Sequence, residues 1–142
     1  MTDNLYILKR NLLYKELHPI WEALSSINYA VVKGEALSQQ IYGEPGRRRS
    51  SDIDILIDKK NVRLLENELQ KVGFEQRLPE DKRDLRKCRV LCLTYSHQIP
   101  FYHKEKFGFR LDVDANHDIF WGQYEGSKYS IEDFLSDVVE MN

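Results

Sequence analysis

Apolar and polar residues alternate most clearly in the segment Ser51-Asp-Ile-Asp-Ile-Leu-Ile57. Successive side chains of a β-strand point to opposite faces of its sheet. The three isoleucines of this segment therefore share one face, and Asp52 and Asp54 share the other. The pattern predicts a strand with an apolar face toward the core and two carboxylates roughly 7 Å apart on the opposite face.

Apolar periodicity elsewhere in the chain predicts helices. Residues 4–25 carry leucines and isoleucines near a 3.6-residue period, and Pro19 is expected to interrupt or kink that helix. Residues 61–72 are predicted to form an amphipathic helix that ends at Gly73. Further helices are predicted over 35–42, 79–93 and 131–139.

Further strands are predicted over 29–33, which ends in a turn at Gly34, and over 74–77, 97–103 and 107–114. Lys104–Lys106 is expected to connect the last two, and Pro100 indicates an edge position or a bulge. The expected fold is α/β of the α+β kind, a mixed sheet of about five strands flanked by helices. We expect a single domain over 1–142, with an N-terminal helical segment (1–27), a core (28–121) and a C-terminal helix (122–142).

The overall composition is that of an ordinary soluble domain, with 42% hydrophobic and 31% charged residues. A net charge of −2 gives no support for a nucleic-acid partner. No apolar run approaches the roughly 20 residues that span a bilayer, and no secretory signal is visible. These features predict a cytoplasmic protein without membrane contact.

The two aspartates of the first acidic strand favour a bound cation. Like charges on one strand face repel each other, and a divalent cation with oxygen ligands would neutralise them. Chemistry with two metal ions usually needs a third carboxylate. The segment 107–114 offers Asp112 and Asp114 on one face of a predicted strand, and either of them could supply it.

A candidate phosphate site lies where the first strand ends. Lys33-Gly34 opens a predicted helix, and the N–H groups and dipole of a helix N-terminus suit a phosphate. Arg47–Arg49 precede the acidic strand, and arginine binds phosphate or carboxylate as a two-pronged donor. Glu35 is unfavourable beside a triphosphate, although an acidic residue also suits the first turn of a helix.

The order of strand, glycine turn, helix and Asp-x-Asp strand resembles the polymerase-β-type nucleotidyltransferase superfamily. The chain more closely resembles a bacterial family of uncharacterised nucleotidyltransferases with the approximate pattern KG-x-AL…Y…G-x-R…DIDLL. The close match covers about residues 28–58, and a looser one extends to about 121. The matching positions are Lys33-Gly34, Leu37, Tyr42, Gly46, Arg48 and Ser51-Asp52-Ile53-Asp54.

This resemblance implies that Asp52, Asp54 and Asp112 are the catalytic residues and the metal ligands. The related family typically has histidine two positions after its third acidic residue, where this chain has Asp114. Asp114 is therefore the alternative third ligand. The implied cofactor is Mg²⁺, with two ions per site and Mn²⁺ as a substitute.

The resemblance also implies nucleotide contacts from Lys33, Gly34, Arg48 and Ser51. The implied reaction transfers a nucleoside monophosphate from a nucleoside triphosphate to a hydroxyl acceptor and releases pyrophosphate. Two alternatives stay open. One is a degenerate fold that binds a nucleotide or a partner, which the departure at Glu35 favours, and the other is an antitoxin-like enzyme acting on a protein partner. The short C-terminal region predicts a homo-oligomer or a helical partner protein.

Overall fold

The computed structural model describes residues 3–43, 47, 49–76, 98–118 and 130–138. In these ranges the α-helices are α1 (Asp3–Ala23), α2 (Gly34–Tyr42), α3 (Val62–Lys71) and α4 (Ile131–Ser136), and Lys59–Asn61 forms a short 3₁₀ helix. The strands are β1 (Tyr29–Val32), β2 (Asp52–Ile57), β3 (Glu75–Gln76), β4 (Gln98–Lys106) and β5 (Phe109–Asn116). No helix in the described ranges is long and apolar enough to cross a membrane.

The strands form one five-stranded sheet in the order β1-β2-β5-β4-β3. β2 runs parallel to β5, whereas the other neighbouring strands are antiparallel. This arrangement confirms the predicted mixed sheet flanked by helices. The parallel pair lies in the middle of the sheet, so the two acidic strands are direct neighbours.

The core lies between one face of this sheet and helices α1 and α3. All three isoleucines of β2 are buried there, as their alternation with aspartate predicts. They pack with the apolar face of β5 and with residues spaced at helical intervals in both helices. The buried residues on the helix side include Leu13, Leu17 and Ile20 of α1, Leu24 directly after α1, and Val62, Leu65 and Leu69 of α3.

Helix α1 continues through Pro19, so the helix is not interrupted there, and a kink at this residue stays a prediction. A proline inside a helix removes one backbone hydrogen bond and crowds the preceding turn. Ile20 and Leu24 follow it and are completely buried in the core. Their burial holds the last turn of the helix against the sheet despite the lost hydrogen bond.

The hairpin between β4 and β5 turns later than predicted. Lys104–Lys106 belong to β4 and do not form the connection, which is made by Phe107 and Gly108. Both turn residues have positive φ, at 50° and 75°, as a two-residue hairpin turn of type I′ requires. The register between β4 and β5 is irregular between Ile99 and Tyr102, which confirms the bulge expected at Pro100.

Two predicted elements lie partly or wholly outside the described residues. The helix predicted over 79–93 lies entirely outside them. The C-terminal helix is described from Ile131 and ends at Ser136, three residues earlier than predicted. Its start is a capping box, in which Ser130 and Asp133 satisfy each other's backbone N–H groups.

Candidate active site

Parallel pairing of β2 with β5 places acidic residues side by side on the sheet face opposite the core. Asp52 lies across from Asp112, and Asp54 lies across from Asp114. Because paired residues of neighbouring strands share a face, the four carboxylates extend from the same side of the sheet. The sequence predicts two acidic strands, and the register places their aspartates side by side as two pairs.

Asp54 is the best-connected residue of this acidic face. Its Oδ1 accepts a hydrogen bond from the Lys33 ammonium at 2.8 Å and another from the Asn116 side-chain amide at 3.1 Å. The Asp54 side chain is almost buried, whereas the Lys33 side chain is 57% exposed. Lys33 follows β1 directly, and the pairing of Val32 with Asp54 brings it to this carboxylate.

Of the four aspartates on this face, Asp114 has the fewest described contacts that would stabilise a negative charge. It is buried, and its Oδ1 has no hydrogen-bond partner in the described part of the chain. Burial raises the pKa of Asp114 to about 7, and the charges of Asp52 and Asp54 act in the same direction. The Lys33 ammonium opposes this rise. A carboxyl group in such surroundings gains strongly from a nearby cation.

The other pair is more accessible, and each of its members has a nearby partner. Oδ1 of Asp112 accepts a hydrogen bond from Arg110 Nε at 2.7 Å, on the exposed part of the face. Oδ1 of Asp52 accepts one from the Ser50 hydroxyl at 2.9 Å. Asp112 is thus neutralised by a neighbour on its own strand, unlike Asp114.

The donor set on this face suits a hard divalent cation, since it consists of carboxylate oxygens together with the side-chain oxygen of Asn116. In the described ranges, no three or more acidic, histidine or cysteine side chains are oriented to hold one metal ion. The hydrogen bonds of Lys33, Arg110 and Ser50 engage three of the four carboxylates. Coordination of a metal would therefore require some of these contacts to be exchanged.

The start of α2 lies beside the same strand. Gly34 has a φ of +35°, and a Cβ placed on it would lie 2.9 Å from Ser50 Oγ. The same Cβ would lie 3.9 Å from the backbone oxygen of Asp52. Gly34 therefore permits a close approach of the helix N-terminus to the segment that leads into the acidic strand, and a side chain there would clash with Ser50. The first turn of α2 is closed by the bond from Leu37 N–H to the Lys33 carbonyl.

Helix α1 holds the segment that leads into β2. The Ser50 N–H donates to the Tyr6 hydroxyl at 3.1 Å, and the Lys9 ammonium donates to the Ser51 carbonyl at 2.9 Å. Ser51, a predicted nucleotide contact, is exposed beside Asp52. The N-terminal half of α1 thus fixes the backbone from which the first aspartate extends.

Arg48, another predicted nucleotide contact, lies outside the described residues. Both of its neighbours lie over aromatic rings: the Arg47 guanidinium is 4.7 Å from the centre of the Tyr42 ring, and that of Arg49 is 6.0 Å from the Tyr6 ring. Such contacts between a cation and a ring face are weakly favourable. They orient the arginines on both sides of position 48.

Two residues of the site, Ser50 and Asn116, are not among those predicted from the sequence. Each is two residues from an acidic residue in an extended segment, so each shares that residue's face. Ser50 comes two residues before Asp52, and Asn116 comes two residues after Asp114. This spacing was the available signal, but serine and asparagine are too common near strand ends for the spacing to single them out.

The profile of a family described as uncharacterised nucleotidyltransferase matches residues 4–142. The chain belongs to this family. The match covers the first acidic strand, the second acidic strand and the helix start between β1 and β2 in one alignment. No match to the chain was found among curated proteins or among solved structures. Membership of an uncharacterised nucleotidyltransferase family supports nucleotidyl transfer as the general activity and a nucleotide as a substrate.

Proposed function

We propose that the protein transfers a nucleoside monophosphate from a nucleoside triphosphate to a hydroxyl acceptor, with Mg²⁺ as cofactor. The observation that carries this proposal is the in-register pairing of Asp52 with Asp112 and of Asp54 with Asp114, beside the N-terminus of α2. Carboxylates arranged around divalent ions and a phosphate site are the parts that phosphoryl transfer needs.

Asp52, Asp54 and a third carboxylate would hold the ions. Asp114 is favoured as the third ligand because it lies across from Asp54, and its buried oxygen has no partner among the described residues. Asp112, which the resemblance favours, is the alternative, and its bond with Arg110 would have to be exchanged first. When bound, the ions supply charge neutralisation for the triphosphate and a lowered pKa for the acceptor hydroxyl.

The phosphate groups would lie against the start of α2. Lys33 carries an exposed positive charge there, and the N–H groups at the start of a helix suit a phosphate. In the reaction the acceptor oxygen forms a bond to the α-phosphorus. The bond from that phosphorus to the pyrophosphate group breaks, and the hydroxyl proton passes to a carboxylate of the face, which the resemblance implies is Asp112.

A nucleotide-binding module without catalysis is the second candidate. It is favoured by the engagement of three of the four carboxylates with Lys33, Arg110 and Ser50. In that case Lys33 and the other donors would permanently take the place of the metal. An antitoxin-like action on a protein, and assembly with a second copy or a helical partner, stay predictions from the sequence.

The proposal is tested by calorimetric titration with non-hydrolysable analogues of all four nucleoside triphosphates, with Mg²⁺ and with EDTA. The wild type is compared with an Asp52→Asn/Asp54→Asn variant and with a Glu22→Gln/Asp137→Asn variant, which changes charge equally at two exposed positions. We expect Mg²⁺-dependent binding by the wild type and the surface variant, and its loss in the first variant. Binding that is equal in all three proteins would contradict the proposal.

A further inference from the structure

The ion pair between Lys33 and Asp54 joins an accessible cation to a nearly buried carboxylate. The ammonium lies 2.8 Å from Asp54 Oδ1, and the lysine side chain is 57% exposed while that of the aspartate is 9% exposed. A ligand can therefore reach the ammonium without opening the protein. Side-chain rotation of an exposed lysine is fast and needs no change of the backbone.

The oxygen that Lys33 contacts is fully engaged. Asn116 donates its amide to the same Oδ1 at 3.1 Å, so that oxygen accepts two hydrogen bonds. A metal ion at this oxygen would need one of the same lone pairs. It would also lie close to the ammonium, and two positive charges at such a distance repel each other.

The backbone of Lys33 is fixed in a conformation that is unusual for a residue with a side chain. Its φ is 59° and its ψ is −155°, a region occupied almost only by glycine. The Lys33 carbonyl is bonded to the N–H of Leu37, which locks the residue to the first turn of α2. Strained backbone of this kind persists where the surroundings hold it, and here it directs a charged side chain at Asp54.

We propose that Lys33 and the divalent cation compete for Asp54, and that the triphosphate ends this competition by drawing the Lys33 ammonium to itself. This inference rests on the proposed function. Metal and nucleotide then bind together, and binding of the free metal ion is suppressed.

The test measures binding of Mn²⁺ alone, by electron paramagnetic resonance of the free ion and by calorimetry. Lys33→Met removes the competing charge, whereas Lys33→Arg keeps it. Lys33→Gly also removes the charge and suits the positive φ, so it serves where the methionine variant does not fold. Lys59→Met, at an exposed lysine of the 3₁₀ helix, is the matched control for the loss of one positive charge.

We expect the neutral variants at position 33 to bind free Mn²⁺ about tenfold more tightly than the wild type. The arginine variant and Lys59→Met should bind it as the wild type does. The neutral variants should also bind a triphosphate analogue with Mg²⁺ more weakly, since the phosphate loses a cation. An unchanged Mn²⁺ affinity in the neutral variants, or an equal gain in Lys59→Met, would overturn the inference.

The proposed function and the competition for Asp54 are overturned by different results. If the wild type binds nucleotide through Asp52 and Asp54, but loss of the Lys33 charge does not tighten Mn²⁺ binding, the competition is wrong and the proposed function stands. If the wild type binds no nucleotide with Mg²⁺, the proposed function fails. In that case the inference, which rests on it, fails as well, whatever the Mn²⁺ affinities are.

Discussion

Asp114 lies directly across from Asp54 in the parallel register of β2 and β5. Its carboxyl group is buried and one of its oxygens has no described partner, whereas Asp112 is paired with Arg110. The two candidates for the third carboxylate are therefore in different electrostatic states. A cation would relieve the cost of ionising Asp114, and at Asp112 it would first have to replace an existing cation.

We therefore predict that Asp114→Asn weakens Mg²⁺-dependent nucleotide binding more than Asp112→Asn does. Loss of a direct metal ligand should lower the affinity about a hundredfold, and loss of the peripheral carboxylate less than about tenfold. Titration of both variants with the same analogue measures the difference. The opposite order would assign the third ligand to Asp112, as the resemblance alone implies.

The raised pKa of Asp114 predicts a particular dependence of stability on pH. Between the ordinary pKa of 3.8 and the folded value of about 7, the folded protein binds more protons than the unfolded chain does. The contribution of Asp114 to the free energy of unfolding therefore falls as the pH rises through this window. Because one pH unit is worth about 1.4 kcal/mol, the stability lost across this window is at most about 4 kcal/mol.

Denaturant unfolding in EDTA at pH 5 and pH 8 checks this sign. Asp114→Asn should be more stable than the wild type at pH 8 and close to it at pH 5, where the wild-type carboxyl group is already protonated. Comparing the variant with the wild type removes the contribution of the other titrating groups. A difference that does not change with pH would show that Asp114 is ionised throughout this range.

The elements of the fold follow from local pattern, because alternation and helical periodicity are properties of short segments. The acidic β2, the amphipathic α3 and the glycine-opened α2 all form where the sequence predicts them. The pairing of Asp54 with Asp114 could not be predicted in this way. A register between strands more than fifty residues apart depends on how the whole core packs.

The two places where the structure differs from the predicted elements also depend on contacts between distant parts of the chain. The predicted connection Lys104–Lys106 pairs with Phe109–Leu111 as part of β4, and Glu16 of α1 accepts hydrogen bonds from Lys104 and Lys106 at 2.5 Å, which hold this end of the strand against the helix. The helix continues through Pro19 because the residues after it are buried. In both places a contact that is distant in sequence outweighs a local preference.

The close approach of Gly34 to Ser50 predicts that Gly34→Ala is harmful. The new methyl group would lie 2.9 Å from Ser50 Oγ and 3.0 Å from its Cβ, at a φ of +35°. We expect a loss of about 2–4 kcal/mol in unfolding free energy, from strain and overpacking together. Nucleotide binding should also weaken, because displacement of Ser50 would release its bond to Asp52.

Gly43→Ala is the matched control for this substitution. Gly43 has a φ of +67°, but no atom of the described residues lies within 4 Å of the position that its Cβ would take. Only the conformational penalty of about 1–2 kcal/mol is expected, without an effect on nucleotide affinity. Equal losses of stability and affinity in the two variants would show that the contact with Ser50 has no role.

The ion pairs of Glu16 predict that this residue stabilises the attachment of α1 to β4. Burial opposes ionisation of Glu16, but the hydrogen bonds and charges of Lys104 and Lys106 outweigh it and hold its pKa below the ordinary 4.5. Its stabilising contribution is therefore present at neutral pH and is lost as the pH falls through its folded pKa.

Glu16→Gln should lower the unfolding free energy by about 1–3 kcal/mol at pH 7, because it leaves two partly buried lysines without their counterion. Glu22→Gln, which removes an exposed carboxylate 3.9 Å from His18, should change it by less than about 0.5 kcal/mol. Thermal or denaturant unfolding measures both. Similar small effects in the two variants would mean that the Glu16 contacts contribute no net stability.

The most direct test of the account is to locate the metal ions. Crystals grown with Mn²⁺ and a non-hydrolysable triphosphate analogue give manganese positions from anomalous scattering. The account predicts manganese about 2 Å from carboxylate oxygens of Asp52, Asp54 and Asp114, with the triphosphate at the start of α2 and the Lys33 ammonium on a phosphate. An ordered nucleotide whose manganese contacts none of these aspartates, with Lys33 still bound to Asp54, would contradict it.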